Sequence, residues 1–121
     1  ARLVTEEGYD IAFNPAGGLH HAHRARASGF SFLNDAVIAI NRLLSKGMRV
    51  AYLDLDAHHG DGVEEAFRDD PQALTFSLHM DTDYAYPFRG GAVTDHGGPA
   101  GEGACLNVPL PRATNWPPCL T

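Results

Sequence analysis

Apolar residues recur at Leu33, Val37, Ile40 and Leu44, the i, i+4, i+7, i+11 spacing of one helix face. The stretch from about Phe32 to Lys46 is therefore read as a helix. Gly47 is the expected C′ residue, and Arg42 and Lys46 face the negative end of the helix dipole. The run Arg49-Val50-Ala51-Tyr52-Leu53-Asp54-Leu55-Asp56 is apolar-rich and short, which predicts a buried strand. Asp61 with Glu64 three positions on has the form of a capping box, opening a short helix through Phe67 before Pro71. A second strand is expected from Ala73 to His79. Helix, strand, helix, strand implies a right-handed crossover and a parallel sheet, with ligands gathering where the strands end. Asp54 to Asp61 lies at such an end. The Asn14-Pro-Ala-Gly-Gly18 string and the Gly-rich stretch from Gly90 to Gly103 read as loops.

A length of 121 residues sets a ceiling of one domain, and no internal repeat or boundary divides it. A sheet covered by helices on both faces is hard to complete at this length. The start, Ala1 to Glu7, has neither an initiating Met nor a signal-peptide core, so the chain reads as a cytoplasmic, internal fragment. No apolar run is long enough to span a membrane. Charge narrows the partners: nine Lys and Arg against fifteen Asp and Glu give −6. Arg24 and Arg26 are the nearest thing to a basic patch, so direct nucleic-acid binding is disfavoured. Cys105 and Cys119 stand outside any Cys-x-x-Cys pattern, so reduced thiols are expected rather than a disulfide framework or a thiolate metal site.

The chemistry concentrates in Asp54-Leu55-Asp56-Ala57-His58-His59-Gly60-Asp61-Gly62, where three carboxylates and two imidazoles leave a buried strand together. Such charges are rarely buried unless paired or bound to metal. Asp56 and His58 are two apart, so on an extended backbone their side chains share a face and can converge on one ion. An oxygen and an imidazole nitrogen suit zinc, whose catalytic sites need a third protein ligand and an open position. Upstream, His20, His21 and His23 follow the glycine loop, at an edge where scaffolds present working side chains. With two surplus carboxylates, Asp54 and Asp61, the adjacent pair His20-His21 makes sense as two His/Asp dyads. Imidazole is the side chain suited to taking and returning a proton near neutrality.

Gly17-Gly18-Leu19-His20-His21-Ala22, Ala27-Ser28-Gly29-Phe30, Asn34-Asp35, the nine-residue string with Val63-Glu64-Glu65-Ala66-Phe67, and Phe76-Ser77-Leu78-His79 together resemble the histone deacetylase family in order and spacing. The resemblance runs from about Ile11 to Pro111. That family also takes in acetoin-utilisation proteins and acetylpolyamine amidohydrolases. The resemblance implies an α/β three-layer sandwich around a parallel sheet, of the arginase/deacetylase type, with residues 1–121 supplying only its central part. It implies one Zn2+ on Asp56 and His58, a dyad of His20 with Asp54 and another of His21 with Asp61. It further implies a tunnel for an acetylated alkyl chain lined by Gly29, Phe30 and Tyr86, and a structural K+ near Asp54, Asp56, His58, Ser77 and Leu78. The substrates implied are an acetylated lysine peptide or an acetylated polyamine or small amine.

The family's third zinc ligand, an aspartate, and its oxyanion tyrosine both fall downstream of this chain. The 121-residue polypeptide is therefore expected to bind zinc weakly and to deacetylate poorly or not at all. The tail from Asn115 to Thr121 departs from the family's continuation after Val108-Pro109-Leu110. Two alternatives stand beside this reading. One is a non-catalytic remnant that serves as an interaction module. The other is an arginase-like ureohydrolase, whose Asp-Ala-His-x-Asp run holds two manganese ions; here the fifth position is Gly60, which removes a bridging carboxylate.

Overall fold

The structure, a computed structural model, describes residues 1–112, so Cys119 and the tail from Asn115 to Thr121 lie outside the described residues. Its elements in chain order are α1 (Arg2–Glu6), α2 (Asp35–Leu44), β1 (Val50–Asp54), α3 (Asp61–Phe67), β2 (Ala73–Met80) and β3 (Cys105–Leu110). The strands form one parallel sheet in the order β1-β2-β3. Asp54 pairs in register with Ser77, and Ser77 with Asn107, so the polar ends of the three strands lie side by side.

Helix α2 begins later than the hydrophobic pattern predicts. Asn34 caps it, accepting a hydrogen bond from the Val37 N–H at 3.1 Å, and Phe32 and Leu33 before the cap are exposed. Leu33 is thus not part of the buried stripe. The helix closes with Ser45 as its C-cap, and the positive φ of Gly47 falls two residues beyond, so Gly47 turns the chain toward β1 instead of serving as C′. The capping box also dissolves: Gly60 is the N-cap of α3 and makes no side-chain cap, while Asp61 is already helical. Both carboxylates of that box are engaged by histidines instead.

Ile40, Val63, Phe67 and Ala73 form the buried core, with Ala36, Val37, Leu44, Val50 and Tyr52 packed against it. Helices α2 and α3 therefore cover one face of the sheet. On β1 the alternation sends Val50, Tyr52 and Asp54 toward these helices and leaves Leu53 exposed. Leu53, Leu106, Val108 and Leu110 leave the opposite face bare among the described residues. The class is α/β with a parallel sheet, as expected; of the three layers, the sheet and one helical layer are seen.

Two elements escape the sequence pattern. Strand β3 contains Pro109 and follows a glycine-rich loop, and it is tolerated because it borders the sheet, where a missing N–H breaks no ladder. Helix α1 is five residues long and docks through Glu6, which pairs with Arg42 and with Lys46 at 3.4 Å. No helix among the described residues is long and apolar enough to cross a membrane.

In the 121-residue chain, Phe67→Ala should destabilise by about 3–5 kcal/mol, the usual cost of emptying a core aromatic site. Ile38→Ala, on the exposed flank of α2, should cost under about 1 kcal/mol. Urea unfolding of the two variants checks the contrast.

Candidate active site

The histidine loop is held by the two residues that start α2. The Asp35 carboxylate accepts the backbone N–H groups of Gly18 (3.0 Å) and Leu19 (2.8 Å). The Asn34 side-chain amide donates to the carbonyls of His20 (3.1 Å) and Ala22 (3.0 Å). A loop that would otherwise bury unsatisfied backbone is thus fixed at the helix N-terminus, with the rings of His20 and His21 4.0 Å apart.

Each ring meets its carboxylate. His20 Nδ1 donates to Asp54 Oδ2 at 2.6 Å, and His21 Nδ1 to Asp61 Oδ1 at 2.8 Å. Asp54 also accepts the Tyr52 hydroxyl at 2.7 Å and the Asp56 N–H at 3.1 Å. A Cβ on residue 60 would collide with that same carboxylate and reach within 3.5 Å of the His20 ring, so only glycine fits beside the dyad. Gly29 plays the same part beside His21, whose ring lies where its Cβ would be.

The two dyads are tuned apart. Burial pulls His20 down, but the hydrogen bond and charge of Asp54, with Asp56 and Asp61 behind it, overturn this and leave its pKa above 6.5. For His21 burial prevails over the bond to Asp61, helped by the charges of His20 and His58, and its pKa falls below 6.5. Burial raises Asp54, yet its bonds from His20 and Tyr52 win and its carboxyl titrates below 3.8.

Asp56 and His58 do converge, though not by strand alternation. Strand β1 ends at Asp54, and residues 56–58 form a bend in which Asp56 Oδ1 accepts the His58 N–H at 2.8 Å and lies 3.0 Å from its Nδ1. Ligand bonds of about 2.0–2.2 Å in a tetrahedral site put neighbouring donor atoms about 3.3–3.6 Å apart, so this pair suits zinc with a slight opening. No group of three His, Cys, Asp or Glu suited to a metal occurs among the described residues. The donor set therefore fits two corners of a zinc site. Cys105 is no substitute: it is buried, and burial with the Glu64 charge pushes its thiol up to about 12.

His20, His21, Asp56 and His58 share a cavity of about 390 Å3 whose walls include Gly29, Phe30 and Tyr86. The Tyr86 ring meets His21 edge-on at 4.8 Å, and its hydroxyl bonds Ser28 Oγ at 2.6 Å. Phe30 is fully exposed and held at φ 62, a strained position for a non-glycine residue. A larger groove of about 630 Å3, between α2, α3 and the loop before α2, contains neither dyad nor the Asp56/His58 pair. Of the residues expected around potassium, Asp54 and Ser77 are buried partners across β1 and β2, while Asp56 is exposed and His58 half-buried.

Sequence reasoning missed a second buried polar cluster. His59 Nε2 donates to Glu64 at 2.8 Å, Asn107 donates to the same oxygen, and the His79 ring lies 4.7 Å from His59. His79 itself bonds Ser77 Oγ and the Gly91 carbonyl. The Glu64-to-Phe67 helical pattern masks Glu64, because a helical carboxylate is ordinarily solvated.

A profile of the histone deacetylase domain family matches residues 1–117. Histone deacetylase 1 of Oryza sativa subsp. japonica is 52% identical over 104 residues, which are 85% of this chain and 20% of the rice protein. Histone deacetylase 19 of Arabidopsis thaliana is 52% identical over 102 residues, 84% of this chain and 20% of its own length. The crystal structure of a histone deacetylase homologue from Aquifex aeolicus superposes with a TM-score of 0.81 at 49% identity, covering 84% of this chain and 27% of that one. A homologue complexed with SAHA superposes equally well. A three-layer hydrolase scaffold is the class these matches define. The chain belongs to the histone deacetylase family, and it spans about a fifth of the length of the curated relatives it matches.

Glu64 supplies a test of this buried chemistry. Burial raises its pKa, but bonds from His59 and Asn107 outweigh burial and bring it from 4.5 to about 2. A depressed carboxyl contributes stability above its unfolded value, and that stability is lost as pH falls through the folded one. Urea midpoints should therefore drop between pH 4.5 and about 2, and Glu64→Gln should make that segment shallower.

Proposed function

We propose that this chain is the central part of a zinc-dependent deacetylase that removes acetyl groups from acetylated lysine side chains or acetylated small amines. The observation that carries the proposal is the pair of His/Asp dyads, bonded at 2.6 and 2.8 Å, that open on one cavity with Asp56 and His58. Environments that push two titratable groups apart assign them different tasks.

Asp56 and His58 would hold the zinc, with a third ligand from outside the described residues. Bound there, zinc supplies Lewis acidity toward the acetyl carbonyl and a lowered pKa for water. His21, neutral near pH 7, accepts the proton of the attacking water at Nε2, since Nδ1 is committed to Asp61. His20, whose proton affinity Asp54 raises, presents its Nε2 edge, 3.9 Å from Asp56, to the negative charge that develops on the substrate oxygen. The proton then passes to the departing amine. Gly29, Phe30 and Tyr86 guide the alkyl chain and keep water away from it. A K+ near Asp54 and Ser77 would be structural.

One observation bears on the ureohydrolase alternative. A side chain at position 60 would run into Asp54, so a second carboxylate cannot be seated there without breaking the His20 dyad. A site for one metal ion is the better reading.

The full-length protein should carry one zinc and release acetate from an acetyl-lysine peptide or an acetylated polyamine, whereas the 121-residue chain should turn over neither. Replacing Asp56 and His58 by Ala should strip the metal, and His21→Ala should lower kcat about 100-fold or more. Metal analysis and acetate-release assays check this; two manganese per chain, or undiminished turnover in the double variant, would refute it.

A further inference from the structure

His23 takes no part in the chemistry above, yet its side chain is buried as deeply as those of the dyad histidines, only 5% exposed. Its backbone is pinned by the N–H bonding the Arg26 carbonyl at 3.0 Å, and its neighbour Ala22 is held through the Asn34 amide. The ring is clamped from one side: Nδ1 bonds Glu65 Oε2 on α3 at 2.8 Å. Its other nitrogen, Nε2, points at Asp61 Oδ2 across 3.3 Å. The contact is close but not aligned as a hydrogen bond, and neither atom makes one elsewhere among the described residues. Two buried polar atoms without other partners, facing each other, are costly unless they serve one another.

The consequence reaches His21, because Asp61 has only two oxygens. Oδ1 is used by the His21 ring and by the Gly62 N–H at 3.0 Å. The rotation of the carboxylate is therefore decided at Oδ2. Both ring nitrogens face carboxylates, so the clamp works with a proton on each: Nδ1–H on Glu65, and Nε2–H directed at Asp61 Oδ2, where it holds the carboxylate plane in the orientation that aims Oδ1 at His21. Glu65, roughly half exposed, keeps His23 from turning away.

We infer that His23 is a positioning residue for the reaction, acting on His21 through the second oxygen of Asp61. The inference rests on the deacetylase reading for its kinetic consequence, but its structural consequence can be measured without it.

The test compares His23→Phe, which keeps the ring and removes both nitrogens, with His23→Gln, whose amide can still donate to Asp61, in the full-length protein. In zinc-loaded enzyme, His23→Phe should lower kcat about tenfold, as loss of a supporting hydrogen bond commonly does, with KM unchanged to within about twofold. His23→Gln should recover most of kcat. A ring needed only for packing gives the reverse order, with Phe benign and Gln damaging, and that result overturns the inference. Crystal structures of the metal-free variants give the second readout: in His23→Phe the Asp61 carboxylate should rotate and lose its 2.8 Å bond to His21. An unmoved carboxylate overturns the inference as well. Should the Phe variant not fold, His23→Met carries the same comparison. If wild-type protein releases no acetate, the deacetylase reading fails on its own, and the Asp61 geometry alone decides the role of His23.

Discussion

The burial of the Asp54 carboxylate at the end of β1 is the constraint on which the site depends. Four groups crowd it: the His20 ring, the Tyr52 hydroxyl, the Asp56 N–H and the backbone of Gly60. A carboxylate withdrawn from water is tolerable only when such donors replace its hydration. Satisfying it brings together the histidine loop, the strand and the turn into α3, so charge satisfaction and site assembly are one event.

The same economy extends along the ends of the three parallel strands. Asp54, Ser77 and Asn107 stand in register on the face that carries the helices, and behind them lie His59, His79 and Glu64. Lower on the same face the residues are apolar: Ala73 packs with Ile40, Val63 and Phe67. The sheet is thus an apolar anchor at one end and a hydrogen-bonded polar platform at the other. The anchor is small for a domain, in keeping with a chain that spans about a fifth of its relatives and bares one sheet face.

The difference between the two dyads comes from environment and not from residue type. His20 and His21 are chemically identical neighbours. His20 faces three carboxylates, whereas His21 has one carboxylate partner and two histidines nearby, and their proton affinities part accordingly. The Asp56 and His58 side chains, in contact with one another, line the same cavity as both rings.

Periodicity and local residue chemistry determined α2, β1, α3 and β2 within a few residues, and with them the parallel crossover that puts Asp54 to Asp61 at a strand end. The string from Asp54 to Gly62, with its histidine partners upstream, likewise announced its own chemistry, because so many charges leaving a buried strand need partners. Only the tertiary structure decided which partners they take. Asp61 and Glu64 read as a local cap, but Asp61 bonds the far-off His21 and Glu64 the nearby His59, since buried carboxylates here take imidazole partners. Asp56 and His58 meet through a bend and not through strand alternation. His23 looked like one more loop residue until α3 brought Glu65 and Asp61 against its two nitrogens, and β3 became a strand only because β2 offered it an open edge. For Asp61, His23 and β3 the deciding contact joins segments far apart in the chain, whose encounter no local pattern encodes.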